Sequence, residues 1–414
     1  MKIEPDAAGM SEGRLERITE HLQTKYVDTG KIVGCQTTVV RGGHVAYYRT
    51  LGLMDRERNI PMTDDTIFRI FSMTKPIASV ALMQLYERGE FQLLDPVARY
   101  IPEWRTLQVG EVQDDGRVTL AKPQRPMNVR DVLMHTTGLP GGLFPDNPID
   151  AEFAQARAAM GGGQTLEGVT ALLAEHPLKF HPGTHWNYGL STDIVGRLVE
   201  IISGLRFDEY LQREIFEPLG MADTGFFVPE SSHPRLAACY QYRPANPPSL
   251  LERPLGMNVL KPRSYLSGAG GLVSTTHDYV AFCQMLLNGG QLVGRRVLGR
   301  KTLELMTVNH LPGGTTLQDM AIGGFGEAGF EGVGFGLGFA VGQGPAATTF
   351  AGSKGDFYWG GAASTAFWID PRERVTATFF TQLRPSSTWP IRPRLHQLIY
   401  QALVEPRRYG RRAS

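Results

Sequence analysis

Three cysteines are all that 414 residues contain, and Cys35, Cys239 and Cys283 stand far apart with no C-x-x-C pair. That spacing builds no disulfide framework and no cysteine zinc cluster, and it suits a reducing compartment. Charge of one sign is lacking too: 42 basic residues against 41 acidic give a formal net charge of +1. With no long basic run, this balance argues against nucleic acid as the main partner, and the pairs Arg407-Arg408 and Arg411-Arg412 read as a solvated tail. No apolar run is long enough to span a bilayer, and Met1 to Asp6 has no apolar signal core. No membrane partner and a cytoplasmic location are therefore expected. The histidines His135, His176, His181, His185 and His277 are scattered. Only His181 and His185 stand at i, i+4, and Pro182-Gly183 between them breaks a common helix, so surface or supporting roles are expected and no metal. The Gly-rich segment from Gly323 to Gly344 has no G-K-S/T ending and precedes no helix, so it reads as a cleft-lining loop and strand rather than a phosphate cradle. No G-x-S-x-G elbow is present either. No cofactor is expected.

What is there is enough apolar material, 42% of the chain, for a large core. Leu15, Ile18, Leu22 and Tyr26 predict an amphipathic helix over 11–29. Val33 to Val40 and Val45 to Thr50 predict a hairpin around Arg41-Gly42-Gly43-His44, and Thr66 to Ile70 a short strand. Residues 75–88 predict a helix apolar over much of its circumference, hence buried. Helices are predicted over Asn128–Met134, Leu166–Glu175, Tyr188–Ser203 and Phe207–Ile215. After about residue 235 the texture returns to strands: Ser267 to Thr275, Phe335 to Val341, and a pair at Ser364–Pro371 and Val375–Thr381 joined by a turn. Helices are predicted over Asp278–Leu287 and Arg394–Leu403. The fold class this implies is α+β: an antiparallel sheet built from both chain ends and flanked by helices, with a mostly helical insertion. Residues 1–90 and 235–414 would form the sheet domain and 91–234 the helical one, with a site in the cleft between them.

One stretch carries chemistry. Phe71-Ser72-Met73-Thr74-Lys75-Pro76 is an S-x-x-K arrangement at the head of the buried helix. Three residues apart on a helix, Ser72 and Lys75 share a face. A serine alcohol attacks well only when a base takes its proton, and a lysine is that base only once its ammonium has lost one. A helix N-terminus adds positive potential for a developing oxyanion. Pro76 is tolerated in a first turn, which fixes the helix start near Ser72. Alone the motif is common on exposed helices. Two further stretches add to it. Trp186-Asn187-Tyr188-Gly189-Leu190 offers a tyrosine that either shuttles protons in a cleft or packs beside Trp186. Tyr358-Trp359-Gly360-Gly361-Ala362 either brings a backbone N–H close to a ligand or makes a tight turn into a strand.

In this order the three stretches resemble the boxes of the serine β-lactamase and penicillin-binding-protein superfamily. The chain is most similar to the family VIII carboxylesterases, which are related to class C β-lactamases. Their S-x-x-K matches Ser72 to Lys75. Tyr188-Gly189-Leu190 matches the second box, with Leu190 on the esterase side of the Y-x-N/Y-S-L divide. Trp359-Gly360-Gly361 matches the esterase form, W-G-G, of the third. His135-Thr136-Thr137-Gly138-Leu139, Phe216 to Met221 and Gly270 to Thr275 extend the likeness to roughly residues 10–400. The resemblance implies Ser72 as acylated nucleophile, Lys75 and Tyr188 as coupled base and acid, and the backbone N–H groups of Ser72 and Ala362 as oxyanion hole. It also implies a substrate-binding surface from Trp359, Gly360, Gly361 and Leu190. With Trp359 where β-lactamases have a lysine, neutral esters with short acyl chains are the expected substrates. Ala362-Ala363-Ser364-Thr365 departs from the bulkier or glycine-rich run expected there and leaves the pocket's shape open. Other activities of the scaffold stay as alternatives: β-lactamase, D-aminopeptidase or acyltransferase, or a catalytically silent binding or structural relative. Oligomeric state is not legible.

Overall fold

The computed structural model describes residues 1–141, 147–252, 254–323 and 330–404. The arginine pairs at 407–408 and 411–412, and residues 324–329 of the Gly-rich segment, lie outside the described residues. The centre of the fold is an eight-stranded sheet drawn from both ends of the chain. Its strands are β1 (Gly34–Arg41), β2 (His44–Asp55), β3 (Ile60–Pro61), β4 (Val333–Phe335), β5 (Ala340–Gly342), β6 (Phe357–Gly360), β7 (Ala366–Asp370) and β8 (Val375–Phe380). Their order is β4-β5-β6-β7-β8-β1-β2-β3, and every neighbouring pair is antiparallel. β1 joins the two ends, pairing Gln36 with Phe380 on one side and with Thr50 on the other.

Both faces of this sheet are covered, so β1, β7 and β8 are buried along their whole length. Alternation sends Cys35, Val39, Trp368, Ala377 and Phe379 to one face. There they meet α1 (Glu12–Leu22) through Leu15, Ile18 and Leu22, and a C-terminal helix (Ile391–Tyr400) through Leu395 and Ile399. On the other face Phe367, Ile369 and Phe380 join the larger core, with α2 (Thr74–Glu87) and the helix Thr276–Leu287. In α2 every residue from Thr74 to Leu85 is buried, as its apolar circumference predicts. Two glutamines facing this core find partners: Gln284 donates to Thr376 Oγ1 at 2.6 Å, and Gln36 donates to the Thr63 carbonyl at 2.6 Å. All three cysteines are buried free thiols, and burial pushes Cys35 up to about 12 and Cys239 to about 11. No helix among the described residues is long and apolar enough to cross a membrane.

The rest packs beyond α2. α3 (Val129–Met134) starts with a reciprocal cap: Asp131 N donates to Asn128 Oδ1 and Asn128 N to Asp131 Oδ2. α4 (Ser191–Ser203) packs on α2. The elements differ from the sequence reading at several points. The stretch from Phe335 to Val341 is a hairpin, β4 to β5, because Gly338 takes φ +95° beside Ser79 and turns the chain. α4 begins at Ser191 rather than Tyr188, since Trp186 is held in an extended bridge to Met320 and Ile322. The final helix spans Ile391–Tyr400 rather than Arg394–Leu403, with Pro393 accommodated in its first turn. Two ribbons, Val109–Val112 with Val118–Ala121 and Cys239–Arg243 with Asn246–Leu251, have no counterpart in that reading.

A buried carboxyl on the far side of the sheet sets a pH dependence. Burial, reinforced by the charge of Asp370, pushes Asp356 up from 3.8 to about 7. Asp370 is itself fixed by the Arg372 and Glu373 N–H groups at 2.9 and 3.0 Å and the Tyr400 hydroxyl at 2.8 Å. In the unfolded chain Asp356 ionises near 4, while the folded chain keeps its proton to about pH 7. Folded-state stability is therefore expected to fall between those values and level off above them. Asp356→Asn removes that slope and is expected to raise stability at pH 8 by about 2–4 kcal/mol. Urea unfolding of both proteins at pH 5 and pH 8 checks this, and equal slopes would sink it.

Candidate active site

Ser72 sits in a single 3-10 turn, Phe71–Met73, that leads directly into α2. Phe71 takes φ +43°, a left-handed conformation uncommon outside glycine, and so aims the following residue. The turn is tied down from three sides. Ile70 N donates to the Leu272 carbonyl at 3.2 Å, Leu272 N to Thr74 Oγ1 at 3.2 Å, and the Tyr279 hydroxyl to the Met73 carbonyl at 2.9 Å. The Gln382 amide adds a two-way bond with the backbone of Arg69.

One helical turn on, Lys75 is buried with its Nζ 3.3 Å from Ser72 Oγ and 2.6 Å from the Ala269 carbonyl. The same Nζ lies 4.2 Å from the centre of the Tyr188 ring. The loop bearing Ala269 is held by Asp193 in the first turn of α4, whose Oδ1 accepts from Ser267 Oγ at 2.6 Å and from Ala269 N at 3.0 Å. At Gly268 a Cβ would lie 2.4 Å from the Thr192 carbonyl, so only glycine lets the loop lie this close to α4.

Tyr188 is positioned by an aromatic group and by backbone bonds. Its ring lies 5.8 Å from Trp186, 5.2 Å from His135 and 5.6 Å from Trp359. Asn187 N donates to the His135 carbonyl at 2.9 Å. His135 follows α3 in the left-handed conformation, φ +61°, and its Nε2 lies 3.3 Å from Thr192 Oγ1. Burial, and then the charge of Lys75, hold its imidazole well below the ordinary histidine range, so it stays neutral beside the lysine.

The turn after β6 completes the wall. A Cβ on Gly361 would lie 2.4 Å from the Ile70 carbonyl, so this glycine permits the turn to touch the strand end that precedes Ser72. That contact brings Ala362 to the same cavity. Its N–H meets no backbone acceptor among the described residues. The cavity, about 820 Å³, is lined by Ser72, Lys75, Tyr188, Leu190 and Ala362, all expected at the site. Trp359, Gly360 and Gly361, expected as substrate-binding surface, are not among its lining residues. Trp359 points to the α2 side of the sheet, is buried, and backs Tyr188 and Phe335 from behind. Gly360 instead makes room for the Arg392 guanidinium, 2.2 Å from where a Cβ would be.

Sequence reasoning missed Asp193, the Ala269 carbonyl and the loop at 255–265 that supplies Met257, Lys261, Arg263 and Tyr265 to the cavity. The glycines at 268 and 270 were the available signal for the first two. His181 and His185 make no metal cluster, and none is found among the described residues.

Comparisons with known proteins cover most of the chain. The family model described as Beta-lactamase matches residues 18–401. Protein Rv1367c of Mycobacterium tuberculosis is 32% identical over 364 residues, 86% of this chain and 88% of that protein. Esterase EstB of Burkholderia gladioli is 29% identical over 89% of this chain and 90% of its own length. Among solved structures, EstCE1, a hydrolase with promiscuous acyltransferase activity, superposes with a TM-score of 0.76 at 25% identity, covering 95% of this chain and 99% of its own.

Proposed function

The chain belongs to the beta-lactamase family, and on that premise we propose that it is a carboxylesterase of the family VIII kind, cleaving short esters through an acyl-enzyme on Ser72. It is a serine hydrolase with esterases among its relatives. The observation that carries the reading is the contact of Lys75 Nζ with both Ser72 Oγ and the Tyr188 ring on one cavity wall.

In this reading Lys75 and Tyr188 act as one unit that takes the Ser72 proton as Oγ attacks the ester carbonyl. The oxyanion that forms lies between the N–H groups of Ser72 and Ala362, at the positive end of α2. Collapse breaks the ester C–O bond, and the departing alcohol takes the proton back. Water then attacks the acyl-enzyme and gives its proton to the same pair, which passes it to Ser72 Oγ as the acyl C–O bond breaks and the acid leaves. Asp193 and Ala269 act through Lys75 by fixing where its Nζ lies. The cavity also has room for an alcohol beside the acyl group, which supports acyl transfer as a second reading, in keeping with the promiscuous acyltransferase activity of EstCE1.

A fluorophosphonate probe is expected to add once, at Ser72, and to stop hydrolysis of 4-nitrophenyl acetate. Mass spectrometry that located the adduct on another serine would defeat the assignment. Nitrocefin and D-amino-acid amides, run beside short and long esters, separate the other activities of the scaffold, and an added alcohol reveals transfer by its ester product.

A further inference from the structure

We propose that the cavity receives esters that carry a carboxylate, with Arg263 as the residue that holds it; the inference rests on the esterase reading for its reaction, though not for its binding. The charges on the cavity wall are lopsided. Beside Lys75 it carries Arg157, Lys261 and Arg263, against Asp193 as its one acid among the described residues. Asp193 is already engaged, accepting from Ser267 Oγ and Ala269 N. Arg157 is engaged as well, with Nε donating to Gln164 and its guanidinium carbon 5.1 Å from the centre of the Tyr265 ring.

Arg263 differs from its neighbours. Its Nη1 is buried and finds no hydrogen-bond acceptor among the described residues. Burial lowers its guanidinium from the ordinary range, and the Tyr265 hydroxyl and Asp193 offset this only in part. A buried cationic donor with no acceptor is unfavourable by itself and becomes favourable when an anion arrives. The planar fork of a guanidinium matches the two oxygens of a carboxylate. The neutral-ester preference expected from the sequence required the Trp359 indole on the wall; that ring is turned to Tyr188 instead, and three cations line the space.

Matched ester pairs test this. 4-Nitrophenyl hydrogen adipate against 4-nitrophenyl methyl adipate puts the carboxylate on the acyl side. 4-Acetoxybenzoate against its methyl ester puts it on the alcohol side. For one of the pairs, the anionic-to-neutral ratio of kcat/KM is expected to fall about 10- to 100-fold in Arg263→Gln. The loss should lie mainly in KM, with partial recovery in Arg263→Lys. The ratio cancels intrinsic reactivity and any general loss of active protein. A ratio equal in all three proteins for both pairs overturns the proposal. A binding arm separates the proposal from the reaction. Calorimetry of monomethyl adipate is expected to give saturable binding to Ser72→Ala that is lost in Ser72→Ala/Arg263→Gln, whether or not any ester is turned over. Equal binding, or none to either protein, overturns the carboxylate site, whereas binding without turnover overturns the esterase reading alone.

Discussion

Ser72→Ala is expected to lower kcat/KM for 4-nitrophenyl acetate by about four orders of magnitude while shifting the thermal midpoint by no more than a few degrees. The size follows from the role: without Oγ no acyl-enzyme forms, and only the oxyanion donors and binding contacts remain. The small structural effect follows from the setting. The turn that holds Ser72 is fixed by its backbone and by Thr74, Leu272, Tyr279 and Gln382, none of which involves the hydroxyl. Steady-state kinetics beside a thermal melt read both quantities. A variant that kept a tenth of the activity would mean that the nucleophile lies elsewhere.

The second large effect concerns a pair. Tyr188→Phe and Lys75→Met are each expected to cost about 10²- to 10⁴-fold in kcat, and the double variant no more than about tenfold beyond the worse of the two. The Lys75 Nζ sits over the Tyr188 ring and beside Ser72 Oγ, and in the proposed mechanism the two side chains share one proton path. Tyr188→Phe leaves the ring contacts with Trp186, His135 and Trp359 in place and removes only the hydroxyl. Multiplicative losses in the double variant would mean two independent roles. A Tyr188→Phe enzyme with full kcat would leave the tyrosine a packing residue, the other reading that its sequence context allowed.

Much of this site was legible because its parts are side chains with distinctive chemistry at fixed spacing. The start of α2 could be read from Pro76 and from apolar residues all round the helix, and the sheet from period-two stretches at both chain ends. What escaped has physical causes. The Ala269 carbonyl is backbone, and no residue type announces it. Arg263 lies in an irregular loop, where neither periodicity nor motif points to a cavity. Trp359 could be set on the opposite face from Tyr358 by alternation, but alternation does not say which face meets substrate. The run from Phe335 to Val341 alternates small and large like one strand, and only the left-handed turn at Gly338 divides it.

The sheet has a consequence for how the enzyme comes into being. Thr381 donates to the Gly34 carbonyl across 347 positions of chain, and β8 lies between β1 and β7. On the ribosome, the segment with Ser72, Lys75 and Tyr188 emerges long before β6 and β8 exist. Until they arrive, β1 has a bare edge and the Ala362 N–H is absent from the site. A nascent chain thus lacks one donor of the proposed oxyanion hole until β6 has been made, and its β1 edge is open to pairing until β8 arrives.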